Sequence, residues 1–349
     1  VDSAEGPGRS YAGRTSVRTR QHAASSRMPV PAVAVLVLLT LVLAAGCAPA
    51  GETGAGNTGP ARTPGSATAP QAPPVAADPP GRPTAASELP GGGTQFFPGR
   101  RLVALYGHPG APNLGALGEQ GPDAAIARAQ DLAARYAPLS DVPVVPALEI
   151  IATLAQDAPG PDGDFSAPMD PQQLHEWVDK ARAAGVYVVL DLQPGRADLL
   201  DQARRYADLL REPNVGLAID PEWKLQPGQA PLQQIGHVAS AEVNAVGAWL
   251  DGLTGDNEPQ TLLVVHQFQT QMVRGEDTLR VSWPHVQTLV HMDGQGTPGV
   301  KEDTWHAIVG AVPEAMPMGW KNFLHIDTPM LTAAQTMAHR PQPLMISYQ

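Results

Sequence analysis

Eight short apolar runs, most of them closing on a polar residue, alternate with stretches whose apolar residues recur every three or four positions. The runs are Arg101–Tyr106, Val144–Ile151, Val186–Gln193, Val215–Asp220, Thr261–Gln267, Val286–Asp293, Met316–Asn322 and Pro343–Tyr348. Runs of this kind predict buried strands. Between the first five the pattern is helical. Leu174, Trp177, Val178, Ala181 and Ala184 share a face, with Asp170-Pro171 as cap and first position and Gly185 as the stop. Leu199, Ala203, Tyr206, Ala207 and Leu210 repeat it, as do Ile235, Val238, Ala239, Val246, Leu250 and Leu253. Gln269–Pro284 and Thr304–Val312 carry weaker helical patterns. Residues 101–349 match the ~250 residues typical of one eight-stranded barrel, so the expected fold is α/β, a (β/α)8 TIM-type barrel ending on its eighth strand. The alternative is an open doubly wound sheet. The turn Tyr106-Gly107-His108-Pro109-Gly110 lacks the glycine fingerprint of its nucleotide-binding version.

The first hundred residues follow other rules. Arg14, Arg18, Arg20 and Arg27 precede an uncharged run from Met28 to Ala45 that closes on Leu43-Ala44-Ala45-Gly46-Cys47. A basic region, a short apolar region and small residues read as a signal peptide over 1–46. The run is short for a membrane span. Cys47 is the only cysteine, so no internal disulfide forms. The segment resembles a bacterial lipobox, with Ala44 where Leu is more usual. That resemblance implies cleavage before Cys47, its acylation, and a protein held on the extracytoplasmic face of a cell membrane. Residues 47–100, rich in Pro, Ala, Gly and Thr, read as a disordered tether reaching about 40 Å as a coil. The net charge is −11, and five arginines against Asp2 and Glu5 lie upstream of Cys47, which leaves −14 for the remainder. An acidic chain without a basic stripe argues against nucleic acid as a partner.

In a barrel the chemistry gathers where the strands end. Those ends supply Tyr106 and His108, then Glu149, Asp191 with Gln193, and Asp220, Glu222 and Trp223. His266 with Gln267, Asp293, Trp320 with Lys321 and Asn322, and Tyr348 complete the set. Alternation in V-G-L-A-I-D-P-E-W, residues 215–223, puts Gly216, Ala218, Asp220 and Glu222 on one face and Leu217 and Ile219 on the other. Two neighbouring acids repel, and one is then driven to hold a proton, as a general acid requires. Asp220 and Glu222 are the candidate catalytic pair, set against plain capping by Asp220 and pairing of Glu222 with Lys224 or Lys321. Trp223, Trp320 and Tyr348 offer faces to sugar rings or pack the rim. Glu149 and Asp191 bind hydroxyl groups or cap loops. His108 and His266 with Asp220 and Glu222 form an alternative metal set, although the paired histidine spacing of such sites is missing. Lys321 is a candidate Schiff-base lysine.

Gly216, Ile219, Asp220, Glu222 and Trp223 resemble the fourth-strand signature of the chitinases, and barrel lysozymes carry a similar D-x-E. Asp293 resembles the Asp closing the chitinase sixth strand. The resemblance implies a glycoside hydrolase in which Glu222 is the acid and Asp220 steadies the substrate's N-acetyl group, with a carbohydrate substrate and neither cofactor nor metal. Val215 and Ala218 replace two acids of that pattern, Met292 stands where Tyr belongs, and Pro221 re-aims Glu222. Those departures open a second expectation, an inactive glycan- or envelope-binding barrel; the metal set opens a third, a metal-dependent hydrolase. The whole domain resembles actinobacterial lipoproteins with a glycosidase-like barrel.

Overall fold

A computed structural model of the chain describes residues 88–255 and 258–349. The signal peptide, Cys47 and most of the tether lie outside the described residues. The eight expected strands form as β1 (Arg101–Gly107), β2 (Val144–Ala155), β3 (Tyr187–Leu192), β4 (Val215–Ile219), β5 (Thr261–Gln267), β6 (Val286–Met292), β7 (Met318–Asn322) and β8 (Met345–Tyr348). Every neighbouring pair is parallel, and β1 pairs with both β2 and β8, so the sheet closes into a (β/α)8 barrel.

Helices α1 (Pro122–Tyr136), α2 (Pro171–Ala183), α3 (Leu199–Arg204) and α4 (Ser240–Leu253) fill the first four connections. α5 (Pro298–Val309) and α6 (Ala333–Thr336) fill the last two. Asp170 caps α2 by accepting from the Gln172 N–H at 3.0 Å, and Gly185 follows at φ +67°. The β5–β6 connection, where the helical pattern is weak, has two 3-10 turns, Thr270–Met272 and Glu276–Thr278. One helix starts later than its pattern predicts. The Gly236 N–H donates to the Glu222 carbonyl at 2.7 Å, which keeps the chain in a loop; Ile235 is left exposed and α4 begins at Ser240.

Strand parity divides the core in two. Val103, Leu105, Leu148, Val188, Leu217 and Val265 point outward and pack beneath the helices. Leu102, Ala104, Val145, Ala147, Val189, Ala218, Val264, Leu289 and Met345 fill the interior. One step of two residues further along each strand, the inward side chains turn polar or aromatic: Tyr106, Glu149, Asp191, Asp220, His266, His291, Lys321 and Ser347. Gly319, the inward position below Lys321, makes room for this layer, since a Cβ there would lie 2.0 Å from His291 Nδ1.

Residues 88–100, expected as the end of the tether, instead close the floor of the barrel. Phe96 is fully buried, edge-on to Tyr187 with centroids 5.0 Å apart, and its N–H donates to Gln260 Oε1 at 2.9 Å. Leu89 is buried beside it. The Arg100 guanidinium binds the carbonyls of Pro90, Gly92 and Gln95 at 2.5, 2.5 and 3.2 Å. The folded unit therefore includes Leu89 and Phe96 rather than beginning at Arg101, because two apolar anchors and a buried arginine outweigh the local Pro/Gly content. Phe96→Ala should destabilise the domain by about 3–5 kcal/mol, the ordinary cost of emptying a buried aromatic site. Urea denaturation checks this, and a loss under about 1 kcal/mol would place Phe96 outside the cooperative unit.

Candidate functional site

At the C-terminal mouth the polar layer forms one connected network. His266, on β5, reaches Glu149 of β2 with Nε2 at 2.8 Å from Oε1, and its Nδ1 pairs with Asp293 Oδ2 at 3.3 Å. The Tyr106 hydroxyl donates to Asp191 Oδ2 at 2.9 Å, tying β1 to β3. His291 stands edge-on to His266, centroids 5.2 Å apart, with Nε2 2.7 Å from the Ser347 hydroxyl. Lys321 is 3% exposed. Among the described residues its ammonium makes neither a hydrogen bond nor an ion pair, and it lies 3.5 Å from the centroid of the Tyr106 ring. The strand that carries it is fastened from outside the barrel. Buried Lys301 of α5 donates to the Lys321 carbonyl at 2.6 Å and pairs with Asp327, which also accepts from the Gly296 and Phe323 N–H groups, each at 2.9 Å.

Burial and mutual repulsion set the charge states. Burial pulls the His266 ring toward neutrality, but the Glu149 charge and the bonds to Asp293 and Glu149 outweigh it, so its pKa lies well above the usual 6.5. His291 is driven the other way by burial and by the neighbouring His266 charge. Asp293 is resisted by burial, yet its bond to His266 keeps it below the ordinary carboxylate range. Burial raises Asp191 to about 6 against the pull of His266, and raises Glu222 to about 7 with help from the Asp293 charge. Asp220, 2% exposed, is pushed well up by burial and then by Glu222 and Asp191. The mouth therefore holds an imidazolium, His266, and two carboxyl groups, Asp191 and Glu222, able to take or give a proton near neutral pH.

Tyr106, Glu149, Asp191, Asp220, Glu222, His266, Asp293 and Lys321 thus come together as expected. Seven other expected site residues do not join the network. Trp320, one residue off the inward parity, points under the helices, its ring 4.0 Å from His339 and 5.6 Å from Trp305. Asn322 accepts from the Trp320 indole on the same outer face. Tyr348 meets the Tyr136 hydroxyl at 2.6 Å, also outside the barrel wall. Gln267 holds the following turn through Gln269, Thr270 and Glu276. Gln193 accepts from the Ala155 N–H, and His108 binds the Ile151 carbonyl through Nδ1. Trp223 sits half-buried in the turn Pro221–Trp223 at the lip. With His108 turned away the metal set is not assembled, and among the described residues no three His, Cys, Asp or Glu side chains are arranged to hold a metal ion. His339 is buried against Trp320. Sequence reasoning missed His291 and Ser347; counting two residues on from Leu289 and Met345 finds both.

No family model matches the chain, and no curated protein matches it. Among solved structures, an HpcH/HpaI aldolase from Desulfitobacterium hafniense DCB-2 is similar, at 12% identity and a TM-score of 0.37 over 72% of this chain and 86% of that one. The glycoside hydrolase expectation does not survive the geometry of the site, which lacks the expected form. Trp320 and Tyr348 are buried outside the wall, and Asp220 is a sealed member of a charge network rather than one of two acids across an open cleft.

The network also predicts a pH dependence. Asp191, Asp220, Glu222 and His266 all have folded pKa values above their ordinary ones, so folding takes up protons. Their contribution is fully present below the unfolded values and is lost as pH rises through the folded ones, with Asp293 opposing in part. The melting temperature should fall as pH is raised from about 5 to about 8, and Glu222→Gln should flatten the slope. A profile rising over that window would contradict the assigned charge states.

Proposed function

We propose that this barrel is a lyase-type enzyme that works on a small carbonyl compound through Lys321. The observation that carries the reading is a buried lysine whose ammonium, among the described residues, makes neither a hydrogen bond nor an ion pair, and whose charge acts on two carboxyl groups, Asp191 and Glu222, that titrate near neutral pH. Such a nitrogen is placed for attack rather than for structure. After passing a proton to a neighbouring carboxylate, Lys321 Nζ forms a bond to the carbonyl carbon. One proton of the amine passes to the displaced oxygen, Glu222 supplies the second, the oxygen departs as water, and the nitrogen keeps the positive charge as an iminium. That charge draws the electron pair of a carbon–carbon bond one atom away, while Asp191 takes the proton of the hydroxyl on the departing carbon. One fragment leaves as an aldehyde or ketone. The enamine left on Lys321 is protonated and hydrolysed, which restores the amine. Tyr106, held by Asp191, lies under the ammonium and fixes its height in the mouth.

We further propose that the chain is a lipoprotein anchored through Cys47 on the extracytoplasmic face of a cell membrane. The basic, apolar and small-residue segments ending at Cys47 support this. Among the described residues no helix is long and apolar enough to cross a membrane.

Each reading has a direct test. Incubation with glycolaldehyde, dihydroxyacetone or pyruvate and cyanoborohydride should leave a reduced adduct on the Lys321 peptide by mass spectrometry, and Lys321→Met should abolish it. Modification spread evenly over surface lysines would overturn the assignment. In a bacterial host, Cys47→Ala should move the protein from the membrane pellet to the soluble fraction; an unchanged distribution argues against acylation.

A further inference from the structure

The polar layer specifies more than a reacting amine. Glu149, Asp191 and Asp293 each commit one oxygen to the barrel wall, through His266, Tyr106 and His266 respectively. Each leaves its other oxygen, Glu149 Oε2, Asp191 Oδ1 and Asp293 Oδ1, buried without a hydrogen-bond donor from the described residues. A buried acceptor left without a donor costs about 1–3 kcal/mol, and more when charged. Three such oxygens in the layer that holds Lys321 call for a ligand that brings donors.

From this we infer that the substrate is a small, uncharged carbonyl compound bearing several hydroxyl groups, and not an oxo acid or a phosphorylated sugar. The inference rests on the lyase reading of Lys321. Hydroxyl groups donate to the spare oxygens and add no charge. A carboxylate or phosphate brings only further acceptors and adds negative charge to an acid-rich mouth. The cations acting most strongly on Asp191, Glu222 and Asp293 are Lys321 and His266. Lys321 is used on the carbonyl, and His266 is already shared between Glu149 and Asp293. Among the described residues, the cations acting on these three acids are then all engaged, and none is left for an anionic substituent.

The test is a competition on the whole protein. Dihydroxyacetone and pyruvate at equal concentration are trapped with cyanoborohydride, and the Lys321 adducts are normalised to those formed on free Nα-acetyl-lysine. The hydroxyketone adduct should exceed the pyruvate adduct at least tenfold, and Asp293→Asn should shrink that ratio. A preference for pyruvate overturns the substrate class and leaves the role of Lys321 standing. Should neither compound give an adduct, xylitol titrated calorimetrically into Lys321→Met decides. Binding that weakens about tenfold when Asp191→Asn is added sustains the hydroxyl-rich class without the lyase chemistry. Failure to bind overturns both.

Discussion

Five carboxyl groups cannot be gathered in one end of a barrel unless protons or cations are buried with them. The cost of an unpaired charge in such a place is several kcal/mol, and breaking a buried pair costs about 3–5 kcal/mol. His266 meets the requirement for Glu149 and Asp293 by standing between them, so a single imidazolium joins β2, β5 and the end of β6. Asp191, Asp220 and Glu222 meet it by holding protons more tightly than they do in water. His291 completes the arrangement by staying neutral, since a second imidazolium 5.2 Å from the first would undo the balance. The chemical capacity of the mouth and its ability to fold are thus the same distribution of charge.

The barrel was legible because its strands are continuous apolar runs and its helices carry caps and stops, as Asp170 and Gly185 do for α2. The inward facing of Ala218 and Asp220 followed from alternation alone. The same rule, not carried through every strand, let Trp320, Tyr348 and Gln267 into the expected site, although each is adjacent to an inward residue and therefore faces out. His291 was hidden inside an apolar run, although strand parity from Leu289 puts it in the polar layer, where Gly319 leaves room for its ring. Phe96 and Leu89 were masked by the prolines and glycines around them. The loop before α4 was hidden for another reason: a backbone bond from Gly236 to Glu222 defeats a helical pattern that its side chains satisfy.

The acid pair shows why a short motif cannot carry a function by itself. D-P-E lies at the end of the fourth strand as expected, and burial raises the pKa of both acids, as a general acid requires. What surrounds them differs. Asp220 is sealed among other carboxyl groups, the aromatic rings near the strand ends belong to the outer core, and a lysine over a tyrosine ring occupies the mouth. Chemistry is set by that company rather than by the spacing of two residues.

The grip of Lys301 on the carbonyl of Lys321 has a mechanical consequence. With that carbonyl secured to α5, and Asp327 tying the ensuing turn to the same ammonium, the backbone at residue 321 becomes a fixed pivot. Only rotation about the lysine's own four side-chain bonds remains, so the reach of its nitrogen is measured from one stationary point. If Lys321 acts as proposed, molecules would be sorted by whether their electrophilic carbon comes within that reach, a criterion of length and shape imposed before any bond is made.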